Sequence, residues 1–220
     1  MNRRLLLWIL VTLVTAAGCA SRQVAWEHSV SSSGGERFIP IELWSGSRWD
    51  GYQSIQQTNA DFTFGKRSHK TIRGPMQWKH PKTGETLSVY ERINRTTKGI
   101  KRQLFTVNPD GTGLAKVYDE RPGAPIRYFT TNAVLFPLGT WKKGEKRYFD
   151  FEEFVDGQWH KRRAMVYIRR LNFTYKKVQN SLKYDWISED ETGRMVFHER
   201  FIYGPREGLM YFKNRMDTDT

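Results

Sequence analysis

Through most of the chain apolar and polar residues alternate with period two, and turn residues interrupt the alternation at intervals. Leu87, Val89 and Ile93 alternate with Ser88, Arg92 and Asn94. The run 100–107 ends at Asn108-Pro109-Asp110-Gly111, a hairpin turn, and the run 114–118 follows it. Segments 147–155 and 159–173 flank a second hairpin signal, Asp156-Gly157. Leu182, Tyr184 and Trp186 then alternate, as do Met195 and Phe197, and Phe201 and Tyr203. A turn over 204–208 leads into a last apolar stretch, 209–212. No segment of the body carries a capped apolar stripe of period 3.6. The pattern predicts an all-β, mainly antiparallel fold, a meander curled into a barrel, half-barrel or sandwich.

The first twenty residues break that pattern. Asn2-Arg3-Arg4 precedes an apolar run over 5–17, and Gly18-Cys19-Ala20-Ser21 follows. A short positive start, an apolar core and small residues before a break are the parts of a secretory signal peptide. The run is too short for the roughly 20 residues of a bilayer-spanning helix. The expected organisation is a signal helix over 1–18, a flexible tether over 19–36, one β-rich domain over 37–213, and a frayed tail over 214–220.

Cys19 is the sole cysteine, so no internal disulfide can consume its thiol. Ala16-Ala17-Gly18-Cys19 resembles the lipobox of bacterial lipoproteins. That resemblance implies cleavage before Cys19, a diacylglycerol on its thiol and an acyl group on its new amine. A signal anchor with Cys19 as a bystander is the alternative. In this lipoprotein class an aspartate after the cysteine marks retention at the inner membrane. Ala20 and Ser21 here imply the outer membrane, with the body facing the periplasm.

Composition supports a folded body: 27% of residues are charged and 14% aromatic, too many aromatics for a disordered chain. The net charge is +13, and cleavage after residue 18 lowers it to +11. The basic runs include Lys142-Lys143 and Lys161-Arg162-Arg163, near Trp141 and Trp159. Lys142, Lys143, Lys161 and Arg162 therefore form a candidate polyanion surface for lipid headgroups, lipopolysaccharide or acidic glycan; a plain solvated surface is the alternative. The leader points away from nucleic acid. Trp44 and Trp49 bracket a short polar segment, where exposed indoles could stack on sugars, or else pack in the core.

Catalytic signatures are scarce. There is no Gly-x-Ser-x-Gly elbow, phosphate-binding glycine loop or His-Glu-x-x-His, and the five histidines are scattered, so neither a metal site nor a cofactor is expected. Asp150, Glu152 and Glu153 are close in sequence, but strand alternation sends Glu152 and Glu153 to opposite faces.

One charge interrupts an otherwise apolar strand face. On the alternating face of 195–203, Glu199 stands among Met195, Phe197, Phe201 and Tyr203, beside the Tyr184 and Trp186 stripe. A buried carboxylate needs a partner, and Arg163 or Arg169, on the odd-numbered face of 159–173, is expected to supply it. The candidate cavity is therefore Glu199, Arg169, Arg163, Tyr184, Trp186, Phe197 and Phe201. A structural ion pair or an outward-facing Glu199 is the alternative.

The closing stretch 201–209, with its Tyr203-Gly204-Pro205-Arg206-Glu207-Gly208-Leu209 turn, resembles the end of curled-sheet periplasmic lipoproteins, of which the half-barrel carriers LolA and LolB are members. The resemblance implies an architecture and no function. Three readings stay open. The first is a non-catalytic, lipid-anchored β-module that binds an amphipathic ligand or an envelope protein. The second is a glycan- or lipopolysaccharide-binding protein. The third is a periplasmic hydrolase with dispersed carboxylates such as Asp150 and Glu199.

Overall fold

The computed structural model describes residues 35–45, 53–58, 68–96 and 99–215. The signal segment, Cys19, Trp49 and the tail beyond 215 lie outside the described residues. Within them the chain is all-β, with fourteen strands and one five-residue helix. The first elements are β1 (Glu36–Ile39), α1 (Ile41–Ser45), β2 (Gln53–Thr58), β3 (Ser68–Lys79) and β4 (Thr86–Thr96). Then come β5 (Gly99–Val107), β6 (Gly113–Glu120), β7 (Arg127–Phe129), β8 (Val134–Pro137) and β9 (Gly139–Lys142). Five long strands close the chain: β10 (Lys146–Val155), β11 (Gln158–Tyr175), β12 (Val178–Asp190), β13 (Met195–Gly204) and β14 (Gly208–Arg215). The strand β14 thus carries through the first residues of the expected frayed tail.

The turns follow local chemistry. Asp156 and Gly157 both have positive φ, 50° and 87°, which is the type I′ geometry that matches the twist of paired strands. It pins the register of β10 on β11 from Val155↔Gln158 to Lys146↔Tyr167. At the other predicted hairpin, Asn108 Oδ1 accepts from the Gly113 amide at 2.8 Å, and the Gly111 amide donates to the Asn108 carbonyl.

Twelve strands form one sheet in the order β5-β4-β3-β2-β14-β13-β12-β11-β10-β7-β6-β8; β1 and β9 pair separately. Every pairing is antiparallel except β14 with β2. The sheet curls far enough for β5, at one end of that order, to pair also with β6 near the other. It stops short of a regular closed barrel. The β6–β7 and β7–β10 joins hold two residue pairs each, and β8 continues past β6 as an edge.

Curling gives the sheet an inside, and the alternation decides what lies there. The interior core includes Phe105, Phe136, Val166, Ile168, Tyr184, Phe201 and Tyr203, with Leu43 and Trp44 of α1 packed among them. Phe136 meets Tyr203 edge-on at 4.9 Å between centroids, and Tyr184 stacks on Phe201 at 5.0 Å. The helix α1 sits against β13 and β14, and its Trp44 reaches Phe105 at 5.0 Å. That contact decides the earlier alternative for Trp44: it is a core residue. A second apolar cluster, Leu87, Val89, Leu104, Val117 and Tyr118, lies apart from this interior core. At its margin Trp78 packs edge-on against both Tyr118 and His80.

Candidate functional site

The core does not fill the curl. A cavity of about 540 Å³ remains, within the 300–1,000 Å³ common for small-molecule sites. Its two walls differ in chemistry.

One wall is cationic and comes from β3 to β7. Cross-strand registry aligns Lys70 with Asn94 and Asn94 with Lys101, giving a row across β3, β4 and β5. The next row runs Arg92, Gln103, Asp119, Arg127. With Lys116, Arg121 and, from β11, Arg162, seven cationic side chains line the cavity against two carboxylates, Glu153 and Glu199.

Four of the seven cations are already paired. Lys116 and Arg121 bind the buried Asp119 at 3.1 and 2.7 Å. Burial alone would raise that carboxyl's pKa, but Lys116, Lys101 and Arg121 hold it well below the usual carboxylate range. Arg127 and Arg162 share Glu153, each at 3.1 Å. Arg92 instead donates through Nε and Nη2 to the neutral Gln103 Oε1, at 3.1 and 2.6 Å, and Gln103 passes a hydrogen bond on to Asp119.

Lys70 and Lys101 have no ion pair among the described residues, and both pay in acidity for their position. Burial, reinforced by Arg92 and Lys101, holds the Lys70 ammonium well below its ordinary pKa. Burial lowers Lys101 to about 7; Asp119 opposes that shift and Arg121, Arg92 and Lys116 add to it. Between the two lysines, Asn94 Oδ1 is buried without a partner.

The facing wall is aromatic and comes mainly from β12, β13 and β14. Trp186, Phe197, Phe201, Leu209 and Phe212 line it, whereas Phe129 of β7 and Phe151 of β10 lie among the cations, with Lys116 Nζ 4.4 Å from the centre of the Phe129 ring. Trp186 is fixed by its Nε1, which donates to the Val134 carbonyl at 2.9 Å, and it stacks on Phe197. Glu199 lies on this wall, in register with Trp186 on one side and Asn214 on the other. No ion pair to Glu199 occurs among the described residues; Lys70 and Arg121 feel its charge across the cavity.

The candidate residues divide by face. Glu199, Trp186, Phe197 and Phe201 line the cavity together, while Tyr184 is fully buried in the core beneath. Arg163 and Arg169 are not partners of Glu199. The inward residues of β11 are the even ones, Ala164, Val166 and Ile168, because Val166 registers with Trp186 and Ile168 with Tyr184. Arg163 therefore points outward to Asp150 at 2.7 Å. Arg169 joins Arg200 and His198 on Asp185. The same alternation separates Asp150, outside, from Glu199, inside, so these two carboxylates do not form an acid–base pair.

The candidate polyanion surface is also divided. Lys143 and Lys161 are exposed, Lys142 is exposed but bound to Glu36 at 2.8 Å, and Arg162 faces the cavity and Glu153. Among the described residues no group of three or more His, Cys, Asp or Glu side chains could hold a metal ion.

Six cavity cations, Lys70, Arg92, Lys101, Lys116, Arg121 and Arg127, escape a reading based on dibasic runs: only Lys101 has a basic neighbour, Arg102, and strand alternation sends that neighbour to the other face, where it binds Glu91. The available signal was weak: Lys70 shares an alternating face with Ile72 and Arg92 one with Tyr90, while Lys101 follows Ile100. Compared with known proteins, the chain matches no family model, no curated protein and no solved structure.

Proposed function

We propose that this chain is a non-catalytic binding protein whose curled sheet holds one anionic, amphipathic molecule. The single observation that carries this reading is the division of one cavity into a cationic wall and an aromatic wall. An apolar ligand alone would leave Lys70, Lys101 and Arg92 desolvated against it, which is costly. A purely ionic ligand would leave Trp186, Phe197 and Phe212 facing water. A molecule with an anionic head and an apolar body satisfies both walls.

The leader supports the setting: a lipid on Cys19 would hold the body at the outer membrane, facing the periplasm, near lipids of that chemistry. Intact mass of the membrane-purified protein tests the anchor, through loss of residues 1–18 and gain of acyl chains.

The binding claim is tested with 1-anilinonaphthalene-8-sulfonate, a fluorescent anionic amphiphile. The full-length protein should bind it saturably at one site. Phe197→Asp, which puts a like charge on the aromatic wall, should weaken binding at least tenfold while far-UV circular dichroism is unchanged. Absence of saturable binding by the wild type contradicts the proposal.

A further inference from the structure

We propose that the anionic group of the ligand is a phosphate, seated on the row Lys70–Asn94–Lys101 with Arg92 beside it. This rests on the amphiphile reading above and names its headgroup.

The seat is chosen by elimination among the cations. Asp119 engages Lys116 and Arg121, and Glu153 engages Arg127 and Arg162. An anion arriving at either cluster would compete with a carboxylate already in place. Lys70, Lys101 and Arg92 face the same cavity with no carboxylate in ion-pair contact; the charges of Asp119 and Glu199 reach Lys101 and Lys70 only from farther off. Cross-strand neighbours lie about 5 Å apart, so the Lys70–Asn94–Lys101 row spans about 10 Å at its backbone, and the flexible lysine stems can converge on one group.

The donor count favours phosphate over carboxylate. Lys70, Lys101 and Arg92 offer three donor groups with no carboxylate in salt-bridge contact, one more than a single carboxylate has oxygens. A phosphomonoester carries about −1.5 to −2 near neutral pH and three acceptor oxygens, one for each donor group. Asn94, between the two lysines, adds an amide whose buried oxygen has no partner, and the NH₂ of that amide has the chemistry to donate to a phosphate oxygen. Across the cavity Glu199 repels an anion, so the phosphate belongs on the lysine side and the apolar body on the Trp186 and Phe212 side.

Burial holds both lysines below their ordinary pKa, Lys101 at about 7. The charged groups facing the pair are Arg92, Lys116 and Arg121 on the cationic side, and Asp119 and Glu199 on the anionic side. A phosphate adds negative charge beside Lys101, so binding at pH 8 draws a proton onto it.

The test is calorimetry on the mature full-length protein in a non-ionic maltoside detergent, with octyl phosphate, octanoate and inorganic phosphate as probes. Octyl phosphate should bind one to one, at least tenfold more tightly than either octanoate or inorganic phosphate. At pH 8 its binding should take up protons, read as a heat that changes with the buffer's ionisation enthalpy. Lys70→Met and Lys101→Met should each weaken it tenfold or more, with Arg163→Ala, on the outer face, unchanged. The comparison of octyl phosphate with octanoate needs only the wild type, so a misfolded variant leaves the test intact. Equal affinity for octanoate and octyl phosphate, insensitive to either lysine, overturns the phosphate assignment and leaves the amphiphile reading standing. Inorganic phosphate binding as tightly as octyl phosphate supports the phosphate seat, makes free phosphate the ligand and removes the amphiphile. No binding of any probe overturns both.

Discussion

Arg162 and Arg163 are neighbours in the chain, yet they bind carboxylates on opposite faces of the sheet: Arg162 the buried Glu153 at 3.1 Å, Arg163 the exposed Asp150 at 2.7 Å. The first pair belongs to the cavity wall and the second to solvent, so they differ in energetic weight. An exposed pair contributes about 0–1 kcal/mol. Removing the central carboxylate of a buried cluster costs more, because its cations are stranded.

Glu153→Ala should therefore destabilise the fold, by about 2 kcal/mol; the partial exposure of Arg127 and Arg162 keeps it below the roughly 3–5 kcal/mol of a fully buried pair. Asp150→Ala should cost less than about 1 kcal/mol. Urea unfolding of the two variants, followed by tryptophan fluorescence, checks the difference.

Lys101 is buried at a cost to stability. Its folded pKa of about 7 lies below the ordinary ~10.4, so the unfolded chain holds more protons between those values. Stability thus gains with rising pH from about 7 to 10, and below 7 the full penalty of the buried charge is present. Lys101→Met should raise the melting temperature at pH 7, by roughly 2–4 °C per kcal/mol recovered, and flatten that alkaline rise. Melting curves from pH 6 to 10 on both proteins decide it.

His80 is held neutral by its burial and by the two amides that donate to its Nδ1. Its Nδ1 accepts from the Lys82 and Thr83 amides, both at 3.2 Å, which leaves Nε2 as the donor to the Phe129 carbonyl at 3.1 Å. Burial lowers its pKa, so between the folded value and the ordinary ~6.5 the unfolded chain binds the extra proton. Its contribution is complete above about pH 6.5 and is lost as pH falls. Unfolding free energies from pH 5 to 8 should fall toward acid in the wild type. In His80→Phe the slope should be shallower and the plateau lower.

On the outer face, Asp185 gathers Arg169, Arg200 and His198, with Arg200 Nε at 2.6 Å. Burial would raise its pKa, but the bonds from Arg200 and Arg169 hold it at about 2. Its stabilisation is present above the ordinary ~3.9 and is lost between about pH 4 and 2. Asp185→Asn should cost about 3 kcal/mol at pH 7 and much less near pH 2, which acid titration of both proteins measures.

The long strands were legible because their alternation is regular and their turns carry Asn108 to Gly111 and Asp156-Gly157. The strand β3 was not. Lys70 and Ile72 face inward there, and Lys70 reads as a surface residue because strands with a filled core rarely bury a lysine. The faces of β11 were ambiguous for another reason. Met165, Tyr167 and Leu171 make the odd face look apolar, whereas the smaller Ala164, Val166 and Ile168 are the ones that fit under Trp186 and Tyr184. Only pairing with β12 resolves that choice. Glu199 was visible as a charge in an apolar stripe, but the cations facing it come from strands more than seventy residues earlier, and alternation along one strand carries no information about what faces it.

The measurement that bears most directly on the interior as a binding site is native mass spectrometry of the mature protein purified from its own membranes. The covalent lipid proposed on Cys19 would stay with the chain under collisional activation, so a non-covalent ligand is recognised by its release. The account predicts one dissociable adduct per chain, containing phosphorus and an alkyl portion, lost in Lys70→Met. A chain that carries its anchor and nothing else, with full recovery of its mass before activation, would contradict it.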